Sequence, residues 1–289
     1  MRRPPESGRP DAPETPAPQQ FDVASVLRGA LEGRAAGPAI PTGFPTLDAL
    51  LGGGLRRGDL VVLAGDTASG KSALALAMAL NVCAAGHAAA YLSGEMTAAR
   101  LLERALAMRG RVAIDDLRRG SLSDESHAAA AAAALTLRGQ TPVLEDLRDA
   151  GLTGVSDLLA EHLGLALTVV DPLQALALGR RALEEEVAHA AHALKELSIR
   201  RSTAVLAVSP LAPSAAPRNS RPQLHQLGGL GAIQQYADVV LGLFREEMYG
   251  SHPDTEGAAE LHVLKNRNGP GGMVDLYFHR PWLRFEEVA

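Results

Sequence analysis

One cysteine, one tryptophan, four tyrosines, five phenylalanines and only three lysines among 289 residues set the first limits. The single thiol, Cys83, excludes an internal disulfide framework and agrees with a reducing, cytoplasmic setting. No apolar run reaches the roughly 18–20 residues that a membrane-spanning helix needs. The opening MRRPPESGRPDAPETPAPQQ has no apolar stretch behind its arginines, so it does not read as a secretory signal. A net charge of −5 gives no overall pull toward nucleic acid or acidic lipid, and any such contact has to be local. Hydrophobic residues at 46% and charged residues at 21% are globular values that exclude disorder over the whole chain. The lysines are Lys71, Lys195 and Lys265, against 25 arginines. Where composition so favours arginine, a remaining lysine marks a position whose chemistry arginine does not supply.

Residues 1–20 are proline-rich and almost without apolar side chains, which predicts a disordered tail. Residues 21–41 read as a short helix and a connector. Val23, Val26, Leu27, Ala30 and Leu31 fall at helical spacing on one stripe, and a helix this short needs a surface to dock on. From residue 42 to 289 the pattern is that of one α/β domain. Apolar β-rich runs at 60–65, 88–93, 166–171, 204–209 and 238–243 alternate with helical stretches near 71–85, 97–109, 123–138, 153–163 and 182–200. Strands apolar on both faces, joined by helices, predict a mostly parallel sheet flanked by helices. After Ala259 the signal turns all-β: ELHVLK, an NRNGPGG turn, then MVDLYFHR, a C-terminal antiparallel hairpin. Residues 212–223 read as a surface loop. Tyr277, Trp282 and Phe285 read as core of the terminal strands. Glu184, Glu185 and Glu186 with His189 and His192 read as a solvated helix face before a metal site.

Gly65-Asp66-Thr67-Ala68-Ser69-Gly70-Lys71-Ser72 fits G-x-x-x-x-G-K-[ST] between an apolar strand and a helix, the context in which that pattern is a phosphate-binding loop. Glycines let backbone N–H groups wrap a phosphate, and the following helix offers its positive end. Lys71 supplies a point charge for the β and γ phosphates of ATP, and Ser72 an oxygen for Mg²⁺. Asp171 closes the strand LTVVD on the sheet edge beside this loop, where a second Mg²⁺ ligand belongs. Glu95 ends the neighbouring strand on the same edge and is the candidate general base for water. An acid at a strand end also serves as a helix cap, and position alone leaves both roles open.

TGFPTLDALLGGGLRRGDLVVLAGDTASGKSALALAMA, LSGEM, VVDPLQAL, GAIQQYADVVLGLFR and KNRNGPGG, in this order, resemble the C-terminal motor domain of DnaB-type replicative helicases from about Thr42 to Glu286. The resemblance implies a RecA-like P-loop NTPase core and a hexameric ring with ATP between subunits. It also implies passage of single-stranded DNA through the centre, and partners from replication or a mobile element. Carried over by position, Lys71 and Ser72 bind nucleotide and Mg²⁺, Glu95 is the catalytic base, Asp171 is the Mg²⁺-side acid, and Gln174 is a polar group beside it. Lys265 and Arg267 match the hairpin cations that reach the neighbouring subunit's γ-phosphate. Two cations on either side of Asn266 project to one face, as an arginine finger requires. Read without the resemblance, the same tip is a solvated turn. The Val23–Leu31 stripe matches the family's linker helix, which packs on an adjacent subunit; docking on its own domain is the other reading.

The departures are informative. The family's Ser-Gln pair, whose glutamine senses the γ-phosphate, is Ser209-Pro210 here, and proline offers neither side-chain donor nor N–H. The Arg-Glu pair that grips DNA is replaced by the uncharged Gln226-Leu227-Gly228-Gly229-Leu230-Gly231, and the tyrosine after the strand-end aspartate is Pro172. The primase-interacting domain is not in this sequence. These departures support an alternative: an ATP-binding regulatory module of the same fold that has lost productive unwinding.

Overall fold

The computed structural model of the chain describes residues 23–31, 38–148, 150–212, 220–250 and 255–288. The expected tail at 1–20 lies outside them. The chain divides into two units, Met1–Gly37 and Pro38–Ala289. In the first, Val23–Leu31 forms the expected helix α1, with Val23, Leu27 and Leu31 of its stripe exposed.

The second unit is a nine-stranded sheet in the order β3-β2-β4-β5-β1-β6-β7-β8-β9. Its central strand, β1 (Leu60–Gly65), is buried at every position between β5 (Ala204–Pro210) and β6 (Val239–Phe244), both parallel to it. An uninterrupted aliphatic run suits a strand covered on both faces. β4 (Leu167–Asp171), β2 (Ala89–Ser93) and β3 (Val143–Asp146) continue the parallel side. One face is covered by α2 (Pro45–Leu50), α3 (Lys71–Ala84) and α4 (Ala98–Gly110), whose apolar residues join one core with Val61, Leu63 and Tyr91. Two further helices follow α4: α5 (Ile114–Arg119) and α6 (Asp124–Leu137). The opposite face is covered by α7 (Gly151–Glu161), α8 (Leu183–Arg201) and α9 (Ala232–Tyr236). α8 buries Val187, Ala190, Ala191, Leu194 and Leu197, a helical stripe turned to the sheet.

The terminal hairpin, β7 (Ala258–Asn266) and β8 (Gly272–His279), is joined by a further antiparallel strand, β9 (Arg284–Glu287). Of the three aromatics expected in the core there, only Phe285 is buried, packed on Phe278 with ring centroids 4.5 Å apart. Tyr277 is exposed on the outer face of β8, and Trp282 lies in a short turn stacked on His279. Strand alternation explains this, since Val274, Leu276 and Phe278 take the buried face. The solvated face expected of α8 is present, with Glu184, Glu185, His189 and His192 exposed, and two of its acids also hold neighbouring loops. Glu184 accepts from the Gly229 N–H, and Glu186 accepts from the N–H groups of Gly179, Arg180 and Arg181.

Candidate nucleotide site

The parallel strands β1, β2 and β4 end on one edge of the sheet, and that edge gathers the predicted phosphate machinery. β1 runs into the loop Asp66–Gly70, and α3 begins at Lys71. Gly70 is left-handed (φ +100°), and a Cβ there would stand 2.8 Å from the Phe285 ring. Only glycine meets both demands. A Cβ on Gly65 would meet the Leu243 carbonyl and Ser69 Oγ at 2.8 Å. Lys71 Nζ donates to the carbonyls of Gly65 at 2.9 Å and Asp66 at 2.8 Å. Burial pulls its pKa below the ordinary lysine value, while Asp171, Asp66 and Glu95 oppose that shift.

Asp171 is buried at the end of β4. Its Oδ2 accepts from the Tyr91 hydroxyl, and Tyr91, on β2, is fully buried. Burial first, and the Asp171 carboxylate second, push the Tyr91 pKa far above the usual phenol value, so the hydroxyl stays a donor. The turn carrying Glu95 is tied to β4, because the Gly94 N–H donates to the Asp171 carbonyl at 2.9 Å. Ser93 Oγ accepts from the N–H groups of Glu95 and Met96 at 3.3 and 2.8 Å. Gln174 Nε2 donates to Ser209 Oγ at 3.1 Å.

Lys71, Ser72, Glu95, Asp171 and Gln174 thus line one cleft of about 670 Å³, shared with Arg104, Pro210, Arg245, Met248 and Arg280. Four buried side-chain atoms lack a hydrogen-bond partner among the described residues. Three of them belong to this region: Ser69 Oγ, Arg104 Nε and Gln174 Oε1. Two of these, the Ser69 hydroxyl and the Arg104 Nε–H, can donate and so fit a polyanionic ligand beside a cationic loop, while Gln174 Oε1 only accepts and suits a bound water. Ser72 and Asp171 are the hard oxygen donors that Mg²⁺ prefers.

Sequence reasoning missed the residues that brace this loop. Tyr249 donates to the Asp66 carboxylate while stacking on Phe244, with centroids 5.4 Å apart. Arg245, nearly fully buried, pairs with Glu247, lies 4.3 Å from the Phe278 ring centre, and donates to the Ala68 carbonyl at 3.4 Å. Arg104 and Tyr91 were missed as well. A lone arginine in a helix and a lone tyrosine in a strand carry no local signal, and the partner of Tyr91, Asp171, comes from a strand distant in sequence.

Lys265 and Arg267 are not in this cleft. β7 meets β6 with Lys265 opposite Val240 and Asn266 opposite Val239. β1 meets the start of β6 at Val61 and Leu243 at Gly65. The two cations therefore sit at the far edge of the sheet, separated from the phosphate loop by about 13 Å of strand at ~3.3 Å per residue. Lys265 Nζ donates to the carbonyls of Gln234 and Ala237 at 2.7 and 2.6 Å. Arg267 donates to the Gln235 carbonyl and lies 3.4 Å from Asp238. In the 226–231 loop, the Gly229 N–H is already given to Glu184, and no side chain there carries charge.

Residues 39–287 match the DnaB-like helicase C terminal domain family. The chain is 31% identical over 275 residues to the replicative DNA helicase DnaB of Geobacillus stearothermophilus, covering 92% of this chain and 60% of that protein. It is 30% identical over 249 residues to a probable plasmid replicative DNA helicase of Chlamydia psittaci, covering 83% and 54%. The chain thus spans little more than half the length of these relatives. Among solved structures, an isolated ATPase domain superposes with a TM-score of 0.82 at 22% identity, over 94% of this chain and all of that one. A DnaB-like replicative helicase gives 0.79 at 22% identity, over 92% and 67%. Both share the fold: a mostly parallel RecA-like sheet with helices on both faces. Among the described residues no helix is long and apolar enough to cross a membrane.

Proposed function

The chain belongs to the DnaB-like helicase C-terminal domain family, and from that premise we propose that it is an ATP-hydrolysing motor subunit of a homo-oligomeric, hexameric ring that moves on single-stranded DNA. The observation that carries this reading is the separation of its two cationic parts. The phosphate loop lies at one sheet edge, and Lys265 and Arg267 lie at the other. A chain does not bring its own fingertip to its own cleft, so a tip that takes part in the reaction does so in the cleft of an adjoining copy. Head-to-tail repetition of one such contact gives a ring when the rotation per copy closes, as a hexamer requires.

In this reading the loop N–H groups and Lys71 hold the β and γ phosphates. Ser72 and Asp171 are the oxygen ligands for Mg²⁺, which when bound neutralises phosphate charge. Glu95, on a turn fixed to β4 through Gly94, orients the attacking water and takes its proton. Lys265 and Arg267 of the neighbouring copy meet the charge that develops on the transferred phosphoryl group, the largest single electrostatic contribution available.

Mixing two inactive variants tests the shared site. Lys71→Ala spoils a copy's cleft and leaves its fingertip; Arg267→Ala does the reverse. In an equal mixture, about a quarter of the head-to-tail interfaces pair an intact cleft with an intact tip. ATPase activity near that fraction of wild type is expected, and no recovery refutes a shared site. A regulatory module that has lost unwinding is favoured by Pro210 lining the cleft and by the uncharged 226–231 loop. ATPase stimulation by single-stranded DNA supports the motor, and indifference supports the module.

A further inference from the structure

The fingertip is held in place by its own subunit, and the holding group is a pair of carboxylates that the reaction does not otherwise use. Asp238, the residue before β6, joins three elements. Its Oδ2 accepts from the Leu60 N–H at 2.8 Å and from Lys195 Nζ of α8 at 2.6 Å. Its Oδ1 lies 3.4 Å from Arg267 Nη1, and its main-chain carbonyl accepts from the Arg267 N–H at 2.9 Å. Lys195 also donates to the Gly58 carbonyl at 2.8 Å. Asp59, the residue before β1, accepts from Asn268 Nδ2 at 3.1 Å. Asn266 is fixed too, donating to the Leu50 carbonyl at 3.2 Å. Each residue from 265 to 268 is therefore anchored to the body of the domain.

We propose that Asp238 and Asp59, with Lys195, are positioning residues that set the direction of the Arg267 guanidinium and of the hairpin tip, so that the fingertip meets the adjoining copy's nucleotide already oriented. The proposal rests on the shared-site reading above. Its logic is preorganisation: a hairpin tip fixed beforehand loses little freedom when it engages, and the guanidinium waits at one place on it, held by Asp238 and the Gln235 carbonyl.

The charge on Asp59 is what a purely structural role does not explain. The groups facing it are Asp238 from just before β6, Lys195 from α8, Arg56 from the preceding turn and Asn268 from the tip. Burial, and then the like charge of Asp238, raise its pKa to about 6. An asparagine would make the same bond to Asn268 without that cost. A group held above its unfolded value of 3.8 binds protons more tightly in the folded state, so stability falls as pH rises from about 4 to 6 and stays lower above. The carboxylate is thus kept at the expense of stability, which is expected of a group retained for function.

The test is a comparison of Asp59→Asn, Asp59→Glu and Arg267→Ala with wild type as assembled ATPases between pH 5 and 8. Wild-type kcat should fall on the acid side with an apparent pKa of about 6, while KM for ATP stays level. Asp59→Asn should unfold at higher temperature at pH 8, yet turn over about fivefold more slowly there, as befits loss of one charge-assisted interaction. It should also lack the acid limb, and Asp59→Glu should restore it. If Arg267→Ala turns over normally, the shared-site reading fails. If Arg267→Ala is inactive while Asp59→Asn keeps the wild-type kcat or the wild-type acid limb, the positioning proposal alone is wrong.

Discussion

Replacing Tyr91 by phenylalanine removes one oxygen atom from the centre of the molecule. The Tyr91 ring packs with the core that α3 and α4 form on the sheet, and phenylalanine keeps that packing. What is lost is the hydroxyl that donates to Asp171 Oδ2. Asp171 is only 3% exposed, so water does not readily take the place of the phenol. A hydrogen bond to a buried charged group is worth about 1.5–3 kcal/mol, and stranding the acceptor costs as much. For a domain of this size each kcal/mol moves Tm by roughly 2–4 °C, so a loss of about 2 kcal/mol lowers Tm by about 4–8 °C. The assay is thermal unfolding of Tyr91→Phe and wild type, with and without Mg²⁺ and a non-hydrolysable ATP analogue. The ligand brings fresh positive charge to Asp171, and the gap between the two proteins should narrow. A Tm change under about 1 °C, equal in both conditions, would show that the phenol and the carboxylate are not energetically coupled.

Other perturbations separate binding from chemistry. Glu95→Gln should lower kcat by about 10²–10⁴-fold, the usual worth of a positioned base, while calorimetry shows unchanged nucleotide affinity. A parallel loss of affinity would instead make Glu95 a binding residue. Arg245→Met leaves Glu247 with the exposed Arg280, 3.5 Å away, as its remaining cation. It should cost about 3–5 kcal/mol in a urea melt. Since Arg245 also donates to the Ala68 carbonyl, KM for ATP should rise in the surviving protein. A neutral effect on both would mean that the phosphate loop needs no support from β6.

The parts legible in the sequence are those whose signal is local. The phosphate loop is a contiguous pattern. Asp171 and Glu95 follow from strand ends, because parallel strands deliver their carboxyl ends to one edge; the register places Ser93 beside Asp171. The strands that escaped notice are short: Val143–Asp146 at one sheet edge and Arg284–Glu287 at the other. Half-exposed, charged edge strands of four residues lack the apolar run that marks β1. Tyr91, Arg245 and Tyr249 escaped for a different reason. Tyr91 meets Asp171 from 80 residues away, and Tyr249 meets Asp66 from 183. Such contacts are set by sheet order and register, which no window of sequence contains.

The lysines carry the argument from composition to site. In a chain that uses arginine almost everywhere, all three ammonium groups are donated to main-chain carbonyls. Lys71 reaches Gly65 and Asp66, Lys195 reaches Gly58, and Lys265 reaches Gln234 and Ala237. A compact ammonium with three rotatable donors settles among converging carbonyl oxygens, a task that the Arg57 guanidinium performs elsewhere at the carbonyls of Leu165 and Ser202. One of these lysines lies in the phosphate loop, one anchors the carboxylate beneath the fingertip, and one lies on the fingertip hairpin. A bias that says nothing about chemistry by itself therefore marks, through its exceptions, the cleft, the fingertip and the network between the fingertip and its own domain.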